Sequence, residues 1–190
     1  MLDAGSELLA ERGWASFTLA EVSRRAGVSN GSIYWRVDGK DALLAAIHER
    51  FIADMDAETA PFMDRDHWAR MGAEEAIAHA VALLTGTFRQ NRRLLRAIIL
   101  WASSDAAASE RGAKAVRRAA RRFENALTPV LERAGHPDPL PAARFVHRLL
   151  FSALTARITW PEQELGRQLS WKAFEEQLAN AAKGYLLPGA

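Results

Sequence analysis

The sequence predicts an all-α protein, with a small tri-helical N-terminal unit ahead of a larger helical region. Three observations carry that prediction. The 190 residues include 37 alanines but only 21 valines, isoleucines and threonines together, and alanine is the best helix former whereas strands favour β-branched residues. Apolar residues recur at helical spacing along most of the chain. The scale of that pattern changes after Pro61, from short helices to long ones. The chain has no internal repeat.

Taken in order, the first helix spans about Asp3–Arg12, with Ala4, Leu8 and Leu9 on one side and Gly13 as its stop. Thr18 with Glu21 three residues on is a capping box, opening a short second helix that ends near Ala26. Gly27-Val28 makes a tight turn. Ser29 caps a third short helix reaching about Arg36, and Asp38-Gly39 ends it. Lys40 begins a fourth helix carrying Leu43, Leu44, Ile47, Phe51 and Ile52. Beyond Pro61 the spacing predicts helices over about Ala73–Gln90, Arg92–Ser103 and Ser109–Ala134, the last kinked at Pro129. Gly135–Pro139 reads as a loop. Helices over Pro141–Thr159 and Ser170–Leu187 complete the chain, joined by a loop around Pro161.

Composition excludes several functions. With no cysteine, disulfide scaffolds, Cys-ligated metals and thiol nucleophiles are ruled out. The longest apolar runs, such as Ala97–Ala102, are far too short to cross a bilayer. Asp3, Glu7 and Glu11 in the first fifteen residues argue against a secretory signal, so the expected location is cytoplasmic, away from membrane. The five histidines form no metal-binding spacing, and no nucleophile–base–acid set or phosphate loop stands out, so neither metal, cofactor nor catalysis is expected. Net charge is only +2, but local excesses lie at residues 22–40 and 89–122.

Residues 18–37, TLAEVSRRAGVSNGSIYWRV, have the physical logic of a helix-turn-helix. Gly27 supplies a turn position with φ > 0. Leu19, Val22, Ala26, Val28 and Ile33 fall where two short helices must pack, and Ser23 is small enough for their crossing. Ser29, Asn30, Gly31, Ser32, Tyr34, Trp35 and Arg36 are left with few core duties. Short polar side chains at a helix start suit major-groove entry, and basic or tyrosyl groups at its far end suit phosphate.

Together with LDAGSELLAERGW at 2–14 and GKDALLAAI at 39–47, this segment closely resembles the DNA-binding domain of the tetracycline-repressor family of bacterial regulators. The resemblance covers about a quarter of the chain. It implies an N-terminal helix-turn-helix DNA-binding domain over residues 1–46. A larger helical effector-binding and dimerisation domain would occupy residues 47–190. Position by position it makes Thr18, Tyr34 and Lys40 phosphate contacts and brings Asn30, Gly31 and Ser32 closest to bases, with Ser29 at the helix start. Trp35 and Arg36 would lie along the groove or backbone. Val37 stands where Phe is usual, and Ser23 where Ala is common. The usual basic arm ahead of the first helix is not in this sequence, which starts almost inside that helix: either the sequence is trimmed or arm contacts are missing.

Several residues admit a second reading. Tyr34 and Trp35 are either core or DNA contacts, although neighbours on a helix point about 100° apart and cannot share one buried face. Lys40 is either a plain exposed residue, unfavourable to the helix dipole, or a phosphate contact. Arg24 and Arg25 are either a solvated helix face or part of the DNA surface. The basic run Arg111, Lys114, Arg117, Arg118, Arg121 and Arg122 reads first as the wet face of an amphipathic helix, and second as another nucleic-acid surface. Phe88 and Trp101 are either plain core or, with Phe151, the lining of a site for a small apolar or amphipathic effector.

The resulting expectation is a ligand-responsive repressor that binds a palindromic operator as a homodimer and is released by a small molecule. The rivals are an architectural DNA-binding protein without effector and a helical enzyme. The dimer is expected through the last two helices, the Phe145–Thr159 and Ser170–Tyr185 regions. There Trp171, Phe174, Leu178, Ala181 and Tyr185 form a stripe, and Phe145 to Leu154 are apolar around most of the circumference. Leu150 and Leu154 are the positions at which a charge tests that surface, if they face the partner.

Overall fold

The structure, a computed structural model, describes residues 1–160 and 169–187. The expected loop around Pro161 lies outside the described residues. Among the described residues there are helices and no strand: α1 (Leu2–Arg12), α2 (Leu19–Ala26), α3 (Asn30–Tyr34), α4 (Lys40–Glu58), a 3-10 turn (Ala60–Met63), α5 (Arg65–Arg70), α6 (Ala73–Ala102), α7 (Ala106–Arg133), α8 (Pro139–Thr159) and α9 (Trp171–Leu186). None of these helices is long and apolar enough to cross a membrane. The fold is all-α, an N-terminal helix-turn-helix followed by a larger helical region. Two compact units divide the chain, one formed by Met1–Met55 with Asn91–Ala113, the other by Asp56–Gln90 with residues from Lys114 onward.

In the first unit, α2 begins because Thr18 accepts the Glu21 backbone N–H while the Glu21 carboxylate accepts from the Thr18 N–H, a reciprocal cap that contributes about 0.5–2 kcal/mol. The helix ends at Gly27, whose φ of +67° is left-handed and costs glycine nothing. The buried Ser23 hydroxyl donates to the Val28 carbonyl and locks that turn. Ser29 then caps α3 by accepting the Ser32 N–H at 3.2 Å. Leu8, Leu9, Phe17, Val22, Ile33, Leu43, Leu44 and Ile47 fill the core, joined by Ile98 and Trp101 from α6 and Ala108 from α7. Each of the larger aliphatic and phenyl side chains among them contributes about 1.5–3 kcal/mol. Gly5 lets α1 approach α4 closely, since a Cβ there would lie 2.8 Å from Ile47 Cδ1. Arg25 bridges α2 to Glu11 of α1 at 2.9 Å, and Arg50 ties α4 to Asp3 at 2.7 Å.

The second unit is built on Ile77, Val81, Leu84 and Phe88 of α6, Phe123, Leu127 and Leu131 of α7, and Val146, Leu150 and Leu154 of α8, with Leu178, Ala182 and Leu186 of α9. α8 packs on α9. Phe62 of the 3-10 turn stacks on Trp68 of α5 at 5.5 Å between ring centroids, and the Trp68 indole N–H donates to the Pro61 carbonyl at 3.1 Å.

Two expectations about elements change. The predicted break between Gln90 and Arg92 is absent, because α6 runs unbroken from Ala73 to Ala102. Asn91 costs a helix only a few tenths of a kcal/mol, and no glycine or proline supports a stop there. The 3-10 turn and α5 fill a stretch for which the spacing predicts no element. Pro129 lies inside α7, which continues through it to Arg133. Both Pro129 and Asn125, whose carbonyl loses its helical donor, are exposed, so water can satisfy that group.

Candidate functional site

The solvent face of α3 gathers most of the residues singled out from the sequence. Only Ile33 of this helix is buried, so its other side chains have no packing duty. Ser29, Asn30, Gly31, Tyr34, Trp35 and Arg36 are exposed and Ser32 partly so. A Cβ at Gly31 would meet nothing within 4 Å. Tyr34 is 61% and Trp35 88% exposed, so neither is core, and the alternative of simple packing falls away for both. Aromatic surface left in water at that level is unfavourable in isolation.

Thr18 and Lys40 lie at the starts of α2 and α4. Thr18 is exposed, and its hydroxyl donates to the Glu21 carboxylate at 3.1 Å. The Thr18 backbone and hydroxyl hydrogen bonds, followed by the nearby Arg12, hold the Glu21 carboxyl below its ordinary pKa. Lys40 reaches back to the Ala15 carbonyl at 3.4 Å, with its ammonium 4.7 Å over the Phe17 ring. That answers the dipole objection in part, and two of its three donors remain for another partner. Arg25 is not simply solvated: Glu11 first, then Glu7, raise its pKa through their ion pairs.

This arrangement has clear relatives. Residues 1–47 match the model of the bacterial regulatory proteins of the tetR family. That match places the likeness to this family in the N-terminal residues of the chain. The class G tetracycline repressor of Vibrio anguillarum is 31% identical over 94 residues, which cover 50% of this chain and 43% of the repressor. The chain thus spans less than half the length of the curated relatives it matches. Solved structures extend the likeness of fold to the whole chain. The fatty acid degradation regulator FadR of Bacillus halodurans superposes with a TM-score of 0.69 at 17% identity, covering 99% of this chain and 93% of that one. FadR of Bacillus subtilis, solved in complex with stearoyl-CoA, gives 0.69 at 15% identity, with 100% and 97% covered. The chain therefore shares the fold of these structures.

The remaining expected residues fall in both units. Phe88 and Phe151 meet in the second, their rings edge-to-face at 5.5 Å. Trp101 belongs to the first, packed edge-on against His48 at 5.6 Å. Burial, and secondarily Arg111, lowers the His48 pKa. Leu150 and Leu154 are fully buried within their own chain, and the exposed large apolar side chains of α8 are Leu140, Phe145 and Leu149. Leu150 and Leu154 thus do not meet the condition of facing outward, and since all these residues are apolar only packing distinguishes the faces. Phe145 lies 5.1 Å from the Tyr185 ring of α9.

The basic run on α7 also differs from a uniformly wet face. Arg118 and Arg122 both bind the Asp56 carboxylate at 2.9 Å, and Arg122 also donates to Thr59 at 2.7 Å. Lys114, Arg117 and Arg121 remain exposed. Among the described residues no group of three or more histidines and acids could hold a metal ion.

Proposed function

We propose that this chain is a DNA-binding transcriptional regulator, a ligand-responsive repressor that binds a palindromic operator as a homodimer. Residues 1–46 would read the DNA, and residues 47–190 would bind the effector and the second copy. The observation that carries the reading is the α3 face: a short capped helix whose side chains, Ile33 apart, stay outside the core. Asn30, Gly31 and Ser32 suit base edges in the major groove, and Ser29 shapes the entry. Thr18, Tyr34, Arg36 and Lys40 suit phosphate, with Trp35 lying along the groove wall. The exposed stripe of Phe145, Leu149 and Tyr185 is a two-fold dimer face, since a symmetric operator calls for a symmetric reader.

The effector is a small apolar or amphipathic molecule bound near Phe88 and Phe151 of the second unit; Trp101, in the core of the first unit, is not among its contacts. The stearoyl-CoA complex of the Bacillus subtilis relative supports an amphipathic ligand. Release follows from linkage: an effector that prefers the head spacing DNA disfavours lowers operator affinity, and operator lowers effector affinity by the same factor. Binding of the purified chain to random-sequence DNA, followed by selection, tests the function. The expected product is one inverted repeat with half-sites about 34–36 Å apart or somewhat more. A monomer on an asymmetric half-site would contradict it.

A further inference from the structure

We infer that the cleft between α7 and α8 in the second unit is a binding site for an amphipathic anion, an apolar chain carrying a carboxylate or phosphate. This deepens the effector reading and rests on it. The cleft measures about 470 Å³, within the roughly 300–1,000 Å³ typical of small-molecule sites. Its apolar lining is Val116, Ala120 and Phe151, and the Phe151 ring is braced from behind by Phe88.

The charge around this apolar lining is one-sided. Arg117 and Arg121 stand one turn apart on α7, and Arg144 and Arg148 one turn apart on α8. The nearest carboxylate, Glu124, is almost wholly buried and already engaged by Arg144 through two hydrogen bonds of 3.1 and 3.3 Å. Arg117, Arg121 and Arg148 have no carboxylate partner among the described residues. His147 adds no charge at neutral pH, because burial pushes its pKa down to about 4. Three uncompensated guanidinium groups therefore rim an apolar cleft, and like charges one turn apart on a helix repel. An anionic head relieves that repulsion through charge-assisted, fork-shaped hydrogen bonds. The chain behind the head covers Val116, Ala120 and Phe151. A DNA phosphate satisfies only the first requirement, since it has no apolar tail to place in the cleft.

The test is calorimetric titration of the full chain, without DNA, with laurate, dodecyl phosphate, dodecanol and inorganic phosphate, each below any micelle threshold. Laurate or dodecyl phosphate should bind at one site per chain, and whichever is tighter distinguishes a carboxylate from a phosphate head. Dodecanol and inorganic phosphate should each bind about tenfold or more weaker. The R117Q/R121Q/R148Q variant should lose the anion by about tenfold or more. Ala120→Trp, which fills the cleft without changing charge, should lose it as well. Far-UV circular dichroism checks that both variants are folded, and sedimentation checks that they keep the wild-type oligomeric state. Equal binding of laurate and dodecanol, unaltered binding to the folded variants, or loss of the oligomer in R117Q/R121Q/R148Q would overturn the proposal. Operator release is scored separately. A ligand that binds here but leaves operator affinity unchanged supports the site and removes the effector reading. A ligand that still releases operator from the triple variant removes the site and keeps that reading.

Discussion

Two surfaces of this protein expose aromatic side chains, and their surroundings differ. On α3, Tyr34 and Trp35 stand among Asn30, Ser32 and Arg36, on a five-residue helix with one buried residue. On α8 and α9, Phe145 and Tyr185 touch each other and lie beside Leu149. The first surface is polar and cationic with aromatic edges, which suits a hydrated, anionic partner. The second is apolar where Phe145, Leu149 and Tyr185 cluster, which suits a dry protein interface. An exposed aromatic therefore indicates a partner only together with its neighbours, and those neighbours indicate the kind of partner.

The largest effect should come from breaking the second surface. F145E/L149E should give a helical monomer by sedimentation and lose operator affinity by about 100-fold or more, because the two half-sites are no longer linked. Leu150→Glu, one residue along but on the inner face of α8, should instead unfold the second unit, since an unpaired charge cannot be buried there. Identical behaviour of the two variants would erase the distinction between the faces.

The inner face of α8 also predicts a pH dependence. The His147 pKa lies at about 4 in the folded chain through burial, against an ordinary 6.5. Above pH 6.5 the ring is neutral in both states and the native fold is not penalised. As pH falls from 6.5 to 4 the unfolded chain takes up a proton that the folded chain does not, so stability decreases. That difference corresponds to at most about 3 kcal/mol. Urea unfolding of His147→Gln should show a shallower decline over this window, and an unchanged slope would mean that His147 is not the responsible group.

Smaller effects belong to the α3 surface. Tyr34→Ala should weaken all DNA about tenfold with little change in melting temperature, because most of the side chain lies in water. Lys40→Ala should flatten the log–log salt dependence by about 0.9 per head. An unchanged slope would leave Lys40 as a brace for the Ala15 carbonyl and the Phe17 ring alone.

The same contrast describes what could be read from sequence. The N-terminal unit was legible because its determinants are local. A capping box closes over four residues, a left-handed glycine makes one turn, and Ser29 caps the next helix. What was missed depends on partners distant in sequence. Gly5 matters because Ile47 sits against it, and Asp56 matters because Arg118 and Arg122 close on it from 62 and 66 residues away. The basic run on α7 looked uniform until packing divided it into two arginines bound to Asp56 and two that line a cleft with Arg148. On α8 the apolar residues cover most of the circumference, so periodicity alone could not separate Leu149 from Leu150. The break expected at Asn91 rested on a residue that costs a helix only a few tenths of a kcal/mol, and α6 runs through it.

The exposed α3 face is proposed to read DNA sequence rather than merely adhere to DNA. The most direct test is the affinity of wild type and of N30A/S32A for the selected inverted repeat and for random DNA, at a fixed salt concentration. The variant should keep its affinity for random DNA and lose about 1–3 kcal/mol of preference for the selected site per base contact removed. Equal loss on both DNAs, or an unaltered preference, would contradict the claim.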